Sequence, residues 1–218
     1  MTDCPIFSTY MAASRIDMEI DALVEDFESQ ISSGKDKRFS VRDGEWHEAD
    51  DSNFAGYRYA TRRSMMIIRG LGRRKMRSLS LHFDLVRDVP GGSVWPHARE
   101  ALLVVAYASE HGDWWEPDSL CVASAGRLED EETWEKWCAG ASVENKFLVW
   151  SDTGAKSDFS KVDVSDQDWL FAVPLRLFND SNAIKNMLVN PVCSLLLREH
   201  PETALRGSQP VQWNVASS

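Results

Sequence analysis

A chain of 218 residues with a formal net charge of −10 is long enough for one domain with an ordinary hydrophobic core. Its hydrophobic fraction of 43% and charged fraction of 27% exclude an intrinsically disordered chain. The negative charge argues against general binding to nucleic acids or anionic membranes. The longest apolar run, Ala101 to Ala108, is far shorter than the ~20 residues that span a bilayer.

The four cysteines form neither a CxxC motif nor any close pair, unlike those of a zinc ribbon or a disulfide-stabilised secreted domain. The start of the chain lacks the basic residues and apolar stretch of a signal peptide. We therefore expect a cytoplasmic protein with reduced thiols that does not act at a membrane. No phosphate-binding loop, dinucleotide fingerprint or zinc-protease motif occurs in the sequence, so we expect no cofactor.

The first predicted element is an amphipathic helix over residues 12–33. Apolar residues at steps of three and four form one stripe, which comprises Ile16, Ile20, Leu23, Phe27 and Ile31. Acidic residues lie mostly off this stripe, and they are Glu19, Asp21, Glu25, Asp26 and Glu28. Gly34 predicts the end of the helix.

Three strands are predicted next. Residues 38–47 alternate weakly, and residues 56–69 end in an apolar run that is typical of a central strand. Residues 74–86 alternate clearly, with Leu79, Leu81, Phe83 and Leu85 on one face and Ser78, Ser80, His82 and Asp84 on a polar outer face. The short turn at 70–72 predicts that the second and third strands form a β-hairpin.

The remaining elements are a buried strand at Ala101 to Ala108, a short helix at 128–138 and strands at 146–150 and 169–178. A helix follows Asp180, and we expect Asn190-Pro191 to break or restart it because proline has no backbone N–H.

This order of elements lacks strict βαβ alternation, and it therefore predicts an α+β fold. We expect a largely antiparallel sheet of five to six strands, with helices packed on one face and the N-terminal and C-terminal helices flanking the sheet. We also expect a single domain over residues 1–203 and an irregular C-terminal tail over residues 204–218.

The charge of the chain is unevenly distributed. The stretch from Tyr57 to Arg77, here called the basic hairpin, contains no acidic residue and eight basic ones: Arg58, Arg62, Arg63, Arg69, Arg73, Arg74, Lys75 and Arg77. The rest of the chain has 16 basic and 34 acidic residues. Clustered arginines bind carboxylates or phosphates, so this segment is a candidate partner-binding surface. The alternative is a solvated sheet face that pairs with the protein's own acidic helix at residues 17–28.

A second candidate is the segment of residues 111–118, here called the Trp-rich loop. Trp114 and Trp115 are adjacent, and tryptophans in loops often anchor protein interfaces. His111 and Asp113 are candidate metal ligands in the same segment. Packing of the two tryptophans within the protein is the alternative interpretation.

A third candidate is Glu144-Asn145-Lys146, at the start of a predicted strand. This E-x-K spacing occurs in the last element of PD-(D/E)xK nucleases, where carboxylates bind a divalent metal and the lysine positions the attacking water. Here a predicted helix intervenes before the triplet, and no residue can be assigned as the missing acid, for which Asp84 and Asp118 are guesses. Because the triplet is common by chance, it assigns the chain to no family.

His82 and Asp84 could act as a base and its orienting acid, since side chains two apart on a strand point the same way. No nucleophile can be assigned to them, and a polar outer sheet face is the favoured interpretation. Taken together, the sequence favours a non-catalytic interaction protein, such as an adaptor, inhibitor or immunity-type factor. It would bind a protein with an acidic or apolar surface through the basic hairpin and the Trp-rich loop. A metal-dependent hydrolase, such as a nuclease, is the first alternative, and a nucleic-acid-contacting module is the second.

Overall fold

A long helix, an antiparallel sheet and a C-terminal helical region make up the described part of the chain. The computed structural model describes residues 5–33, 39–48, 60–69, 77–84, 100–108, 146–149, 164 and 167–211. In this part, no helix is both long and apolar enough to cross a bilayer.

The elements follow one another in a simple order. Helix α1 (Pro5–Ser33) precedes the strands β1 (Phe39–Glu48), β2 (Ala60–Arg69), β3 (Arg77–Asp84), β4 (Leu102–Ala108), β5 (Phe147–Val149) and β6 (Trp169–Pro174). A 3₁₀ turn (Leu175–Leu177) then leads to α2 (Ser181–Ile184), a π-helical turn (Lys185–Val189), α3 (Asn190–Leu196) and α4 (Pro201–Ala204). The strand predicted over 169–178 therefore ends earlier, at Pro174.

The strands pair in the order β1-β2-β3-β4-β6-β5, and every pair is antiparallel. The predicted mixed α+β class with an antiparallel sheet is confirmed. The predicted pairing of the second strand with the third is confirmed as well, because β2 pairs with β3 from Ala60 opposite Asp84 to Ile67 opposite Arg77.

The hydrophobic core lies on one face of this sheet. Alternate residues of β3, β4 and β6 are buried on that face, among them Leu81, Val105 and Phe171. They form one cluster with buried residues of α1 and of the C-terminal helices, such as Phe27 and Leu188. The period-2 pattern of the sequence thus specifies which strand residues meet the helices.

The opposite face of the sheet is also buried. Ser80, Val104, Ala106, Leu170 and Ala172 are all at most 4% exposed. The prediction of a polar outer face is therefore wrong for Ser80, whose side chain is fully buried. An all-apolar strand such as β4 is buried on both faces, and its neighbour β3 shares that environment because the two strands are paired.

A β-bulge shapes strand β1. The register with β2 shifts between Arg42 and Glu45, so that β1 uses one residue more than its partner strand. Phe39 and Trp46 consequently lie on the same face, although seven residues separate them. Phe39 is buried, whereas Trp46 is 40% exposed and its ring lies 6.3 Å from that of Phe83.

Helix α1 is longer than the sequence predicted. It begins at Pro5, a residue type that suits a first helical turn, and ends at Ser33. The stripe residues Ile20, Leu23, Phe27 and Ile31 are buried, but Ile16 is 43% exposed. Among the side chains of α1 that the structure describes, burial therefore begins at Ile20.

The C-terminal region stays helical through Asn190-Pro191. The expected interruption takes the form of a π-helical turn, in which the N–H of Asn190 donates to the carbonyl of Lys185. Val189 and Asn190 keep helical backbone angles, and Pro191 falls in the first turn of α3, where its missing N–H costs least. The proline thus changes the helix type without ending the helix.

Candidate interaction surface

The antiparallel pairing of β2 with β3 brings both ends of the segment from Arg69 to Arg77 to one end of the strand pair. Ile67 lies opposite Arg77, and β2 continues two residues further to Arg69. Between these two strand positions, the sequence adds Arg73, Arg74 and Lys75. The nine residues from Arg69 to Arg77 therefore carry five positive charges, and the paired strands β2 and β3 hold the two ends of this segment.

The same end of the sheet receives the chain from helix α1. Phe39, the first residue of β1, lies opposite Arg69. The sequence that leads from α1 into Phe39 carries Lys35, Lys37 and Arg38 with one acid, Asp36. Basic residues are thus concentrated in the two chain segments attached at this end of the β1–β2–β3 unit.

Of the eight basic residues of the basic hairpin, the structure describes four. Arg62, Arg63 and Arg69 have backbone positions in β2, opposite His82, Leu81 and Phe39 respectively. Arg77 opens β3 and is half-buried. Arg58, Arg73, Arg74 and Lys75 lie outside the described residues.

The Trp-rich loop also lies outside the described residues. This holds for Trp114 and Trp115 and for His111, Asp113 and Asp118, which were predicted as metal-binding or catalytic candidates. Within the described part of the chain, no group of three or more His, Cys, Asp and Glu residues could hold a metal ion.

Of the hydrolase candidates, the structure describes Lys146 and the backbone of Asp84, whereas Glu144 lies outside the described residues. Lys146 is half-buried and directly precedes β5, at the edge of the sheet order. Asp84 ends β3, so β4 and β6 lie between it and β5. Three strand spacings separate the two backbones by about 14 Å, and the fold therefore does not bring Lys146 and Asp84 into one site.

Helix α1 carries an acidic, solvent-exposed surface. Asp17, Glu19, Asp21 and Glu25 are exposed, while Asp26 and Glu28 are half-buried. The Nε2 atom of Gln30, one turn beyond Asp26, donates to the Asp26 Oδ1 atom at 3.0 Å. Charged residues on this helix therefore face solvent over most of its described length.

A surface that the sequence did not signal lies at the beginning of this helix. Four large hydrophobic side chains are exposed among the described residues, and three of them lie within eight residues of α1: Met11, Ile16 and Met18. Ile16 was assigned to the core stripe because it lies four positions before Ile20. The spacing alone does not show that the buried part of the stripe ends between these two residues. Met11 and Met18 are seven positions apart and therefore share one side of the helix, but this spacing does not show that the side is exposed.

Polar atoms buried in the sheet without a hydrogen-bond partner among the described residues include the Oγ atom of Ser80, on the second face, and the Nε1 atom of Trp169, on the core face. Ser80 lies between Ser64 and Ala106 in the register. Ser80 and Trp169 both lie in the packed interior of the sheet.

Comparison with known proteins gave no significant match: no family model, curated protein or solved structure is similar to this chain.

Proposed function

We propose that the protein is a non-catalytic interaction protein that binds an acidic or apolar surface of a protein partner through the basic hairpin and the Trp-rich loop. An adaptor, an inhibitor or an immunity-type factor would work in this way. The observation that carries the proposal is the concentration of five positive charges between Arg69 and Arg77, in a chain whose net charge is −10.

The pairing of β2 with β3 supports this choice of surface. Strand pairing places Ile67 opposite Arg77, so that β2 and β3 hold the two ends of the segment from Arg69 to Arg77 in one sheet. Pre-ordering of this kind lowers the entropic cost of association. Arginine guanidinium groups then provide paired donors for the carboxylates of the partner.

The proposal rests on a fold in which helices pack on one face of a five- to six-stranded sheet and the N-terminal and C-terminal helices flank it. It also places the protein in the cytoplasm, where four dispersed cysteines would remain thiols.

The experiment is affinity capture of the tagged protein from its source cell, with captured protein and nucleic acid both quantified. The test variant changes Arg69, Arg73 and Arg74 to glutamate, and it spares the half-buried Arg77 because that change could unfold the protein. The control variant changes Arg15, Lys185 and Arg206 to glutamate, three exposed residues outside the hairpin. Both variants alter the net charge equally.

The proposal predicts a stoichiometric protein partner that the wild type and the control variant retain and the test variant loses. Capture of nucleic acid alone, with a steep loss at higher salt, would instead indicate a nucleic-acid-contacting module. Equal capture by both variants would remove the basic hairpin as the binding site. Metal-dependent hydrolysis of a nucleic acid by the purified protein would establish the hydrolase alternative.

A further inference from the structure

Strand β1 is an edge of the described sheet, and it is long for that position. It contains ten residues, and β2 is the single described strand with which it pairs. The backbone N–H and C=O groups on the outer side of an edge strand are the groups to which a further strand adds. Proteins commonly keep edge strands short, since a long one invites pairing with another chain. The outer side of β1 is therefore a candidate surface for strand addition.

The charges in and around β1 are divided between its two halves. From Lys35 to Arg42 the sequence has four basic residues and one acidic residue. From Asp43 to Asp51 it has five acidic residues and no lysine or arginine. Two antiparallel copies of such a segment place each basic half beside an acidic half, whereas parallel copies would place like charges together. This division of charge favours an antiparallel second copy of the chain as the strand that pairs with β1.

The β-bulge of β1 makes one register of this pairing possible. In a two-fold pair of strands, residue i lies opposite j and j lies opposite i, so the two residues must share a face of the sheet. Residues an odd number of positions apart lie on opposite faces of a regular strand. Because the register with β2 shifts between Arg42 and Glu45, these two residues share one face of β1. Val41 and Trp46 share the other face for the same reason.

The register centred on the bulge opposes complementary residues. Arg42 of each copy lies opposite Glu45 of the other, and Val41 lies opposite Trp46. Opposite charges, and an aromatic residue with a β-branched one, are cross-strand pairs that stabilise antiparallel strands. Glu45 is exposed, Trp46 is 40% exposed and Val41 is half-buried, so each of these side chains has surface for a second strand to cover.

We propose that β1 is the docking edge for a second copy of this chain. The second copy adds its own β1 in antiparallel orientation, and the two-fold axis passes between Asp43 and Gly44. The six described strands of each copy then form one continuous sheet, with both core faces on the same side. The dimer needs no other protein, so it does not depend on the function proposed above, and the purified chain is sufficient to test it.

The test is sedimentation velocity of the purified full chain over a range of concentrations, which gives the dissociation constant of the dimer. The two test variants are Arg42→Glu and Glu45→Arg, and each converts both Arg42–Glu45 pairs of the dimer into pairs of like charge. The matched controls are Arg15→Glu and Glu25→Arg, which make the same charge changes at exposed positions of α1. Far-UV circular dichroism of every variant checks that the fold is retained.

The proposal predicts a concentration-dependent dimer of the wild type, which both controls form equally well. Each test variant alone should dimerise at least about tenfold more weakly, a loss of about 1.4 kcal/mol. An equimolar mixture of the two test variants should dimerise like the wild type, because every heterodimer again places a glutamate opposite an arginine at both positions. A variant that had merely lost its fold would not regain a dimer in this mixture.

Three results would overturn the proposal. A wild type that stays monomeric at every concentration would exclude a second copy as the occupant of the β1 edge. A dimer that both test variants form as tightly as the wild type would place the contact elsewhere on the molecule. Dimerisation that is weak in each test variant and equally weak in their mixture would exclude the opposition of Arg42 to Glu45. Capture of a partner protein through the basic hairpin can succeed or fail under any of these results, which keeps the two proposals distinguishable.

Discussion

Tyr107 and Trp169 stack on the core face of the sheet, with ring centroids 5.1 Å apart and ring planes inclined by 23°. The two residues lie directly opposite each other in the register of β4 and β6. The Trp169 ring also lies 5.7 Å from Phe147 and 6.0 Å from Phe171, and its side chain is fully buried. This aromatic cluster joins the edge strand β5 to the centre of the sheet.

Replacing Trp169 by alanine should lower the free energy of unfolding by about 3–5 kcal/mol, because the change removes a fully buried ring and leaves a cavity. Urea denaturation followed by far-UV circular dichroism measures this loss. Trp46→Ala is the control, since Trp46 is 40% exposed and contacts the core only at its edge. Its cost should stay below about 1.5 kcal/mol, and equal costs for the two variants would show that the cluster around Trp169 is not tightly packed.

Burial of the second sheet face is tested at Ser80. Arginine at this position should destabilise the protein by about 3 kcal/mol or more, because a long charged side chain would enter a packed region. Ser80→Ala should change the stability by no more than about 1 kcal/mol, since the Oγ atom has no hydrogen-bond partner among the described residues. Glu45→Arg, at an exposed position of β1, is the control for arginine in a strand. If Ser80→Arg is as stable as Glu45→Arg, the second face is open to solvent.

The contact between α1 and α2 depends on a side-chain amide. The Nε2 atom of Gln30 lies 3.1 Å from the carbonyl oxygen of Ser181 and 3.0 Å from its Oγ atom. Gln30→Ala should therefore cost about 0.5–1.5 kcal/mol in the same denaturation experiment. Ser29→Ala, at the exposed neighbouring position, should leave the stability unchanged. A neutral effect of Gln30→Ala would mean that solvent replaces these hydrogen bonds without loss.

Helix α3 ends in a Schellman motif that places an arginine where glycine is preferred. The N–H of Glu199 donates to the carbonyl of Ser194 at 2.9 Å, and that of Arg198 donates to Leu195 at 3.0 Å. Arg198 has a φ of 72°, which is in the left-handed region. Arg198→Gly should therefore be more stable than Arg198→Ala by about 1 kcal/mol, because both lose the side chain but only glycine relieves the backbone strain. Thermal melts of the two variants measure the difference, and identical midpoints would exclude strain at this residue.

Much of the sheet could be predicted from short-range patterns. The alternation of Leu79, Leu81 and Phe83 identifies the core face of β3, and all three are fully buried. The unbroken apolar run of β4 predicts burial on both faces, as observed. Both patterns depend only on the period of two residues in a strand, which is a local property of the backbone.

The sequence predicted less well where burial depends on distant elements. Ser80 alternates like a solvent-facing residue, but its side chain is fully buried. Ile16 continues the stripe of Ile20, but the core ends between them. Leu205 and Ser208 lie in turns near the C-terminus and are buried, and the nearby N–H of Val211 donates to the carbonyl of Ala172. In each case the side chain has an ordinary local pattern, and only the tertiary arrangement sets its exposure.

Only the positive charge of the candidate site could be predicted from the sequence. Counting residues identifies the segment from Arg69 to Arg77, and strand pairing explains why its ends meet. The exposure of Met11, Ile16 and Met18 on α1 could not be predicted, because it depends on the tertiary arrangement and not on the spacing of these residues.

The most direct test of binding through the basic hairpin compares the amount of partner protein that two variants of equal net charge capture. One variant carries glutamate at Arg69, Arg73 and Arg74, and the other carries glutamate at Arg15, Lys185 and Arg206. We predict that the first variant loses the partner while the second retains it at the wild-type level. Retention of the partner by both variants, or its loss from both, would contradict a binding site at the basic hairpin.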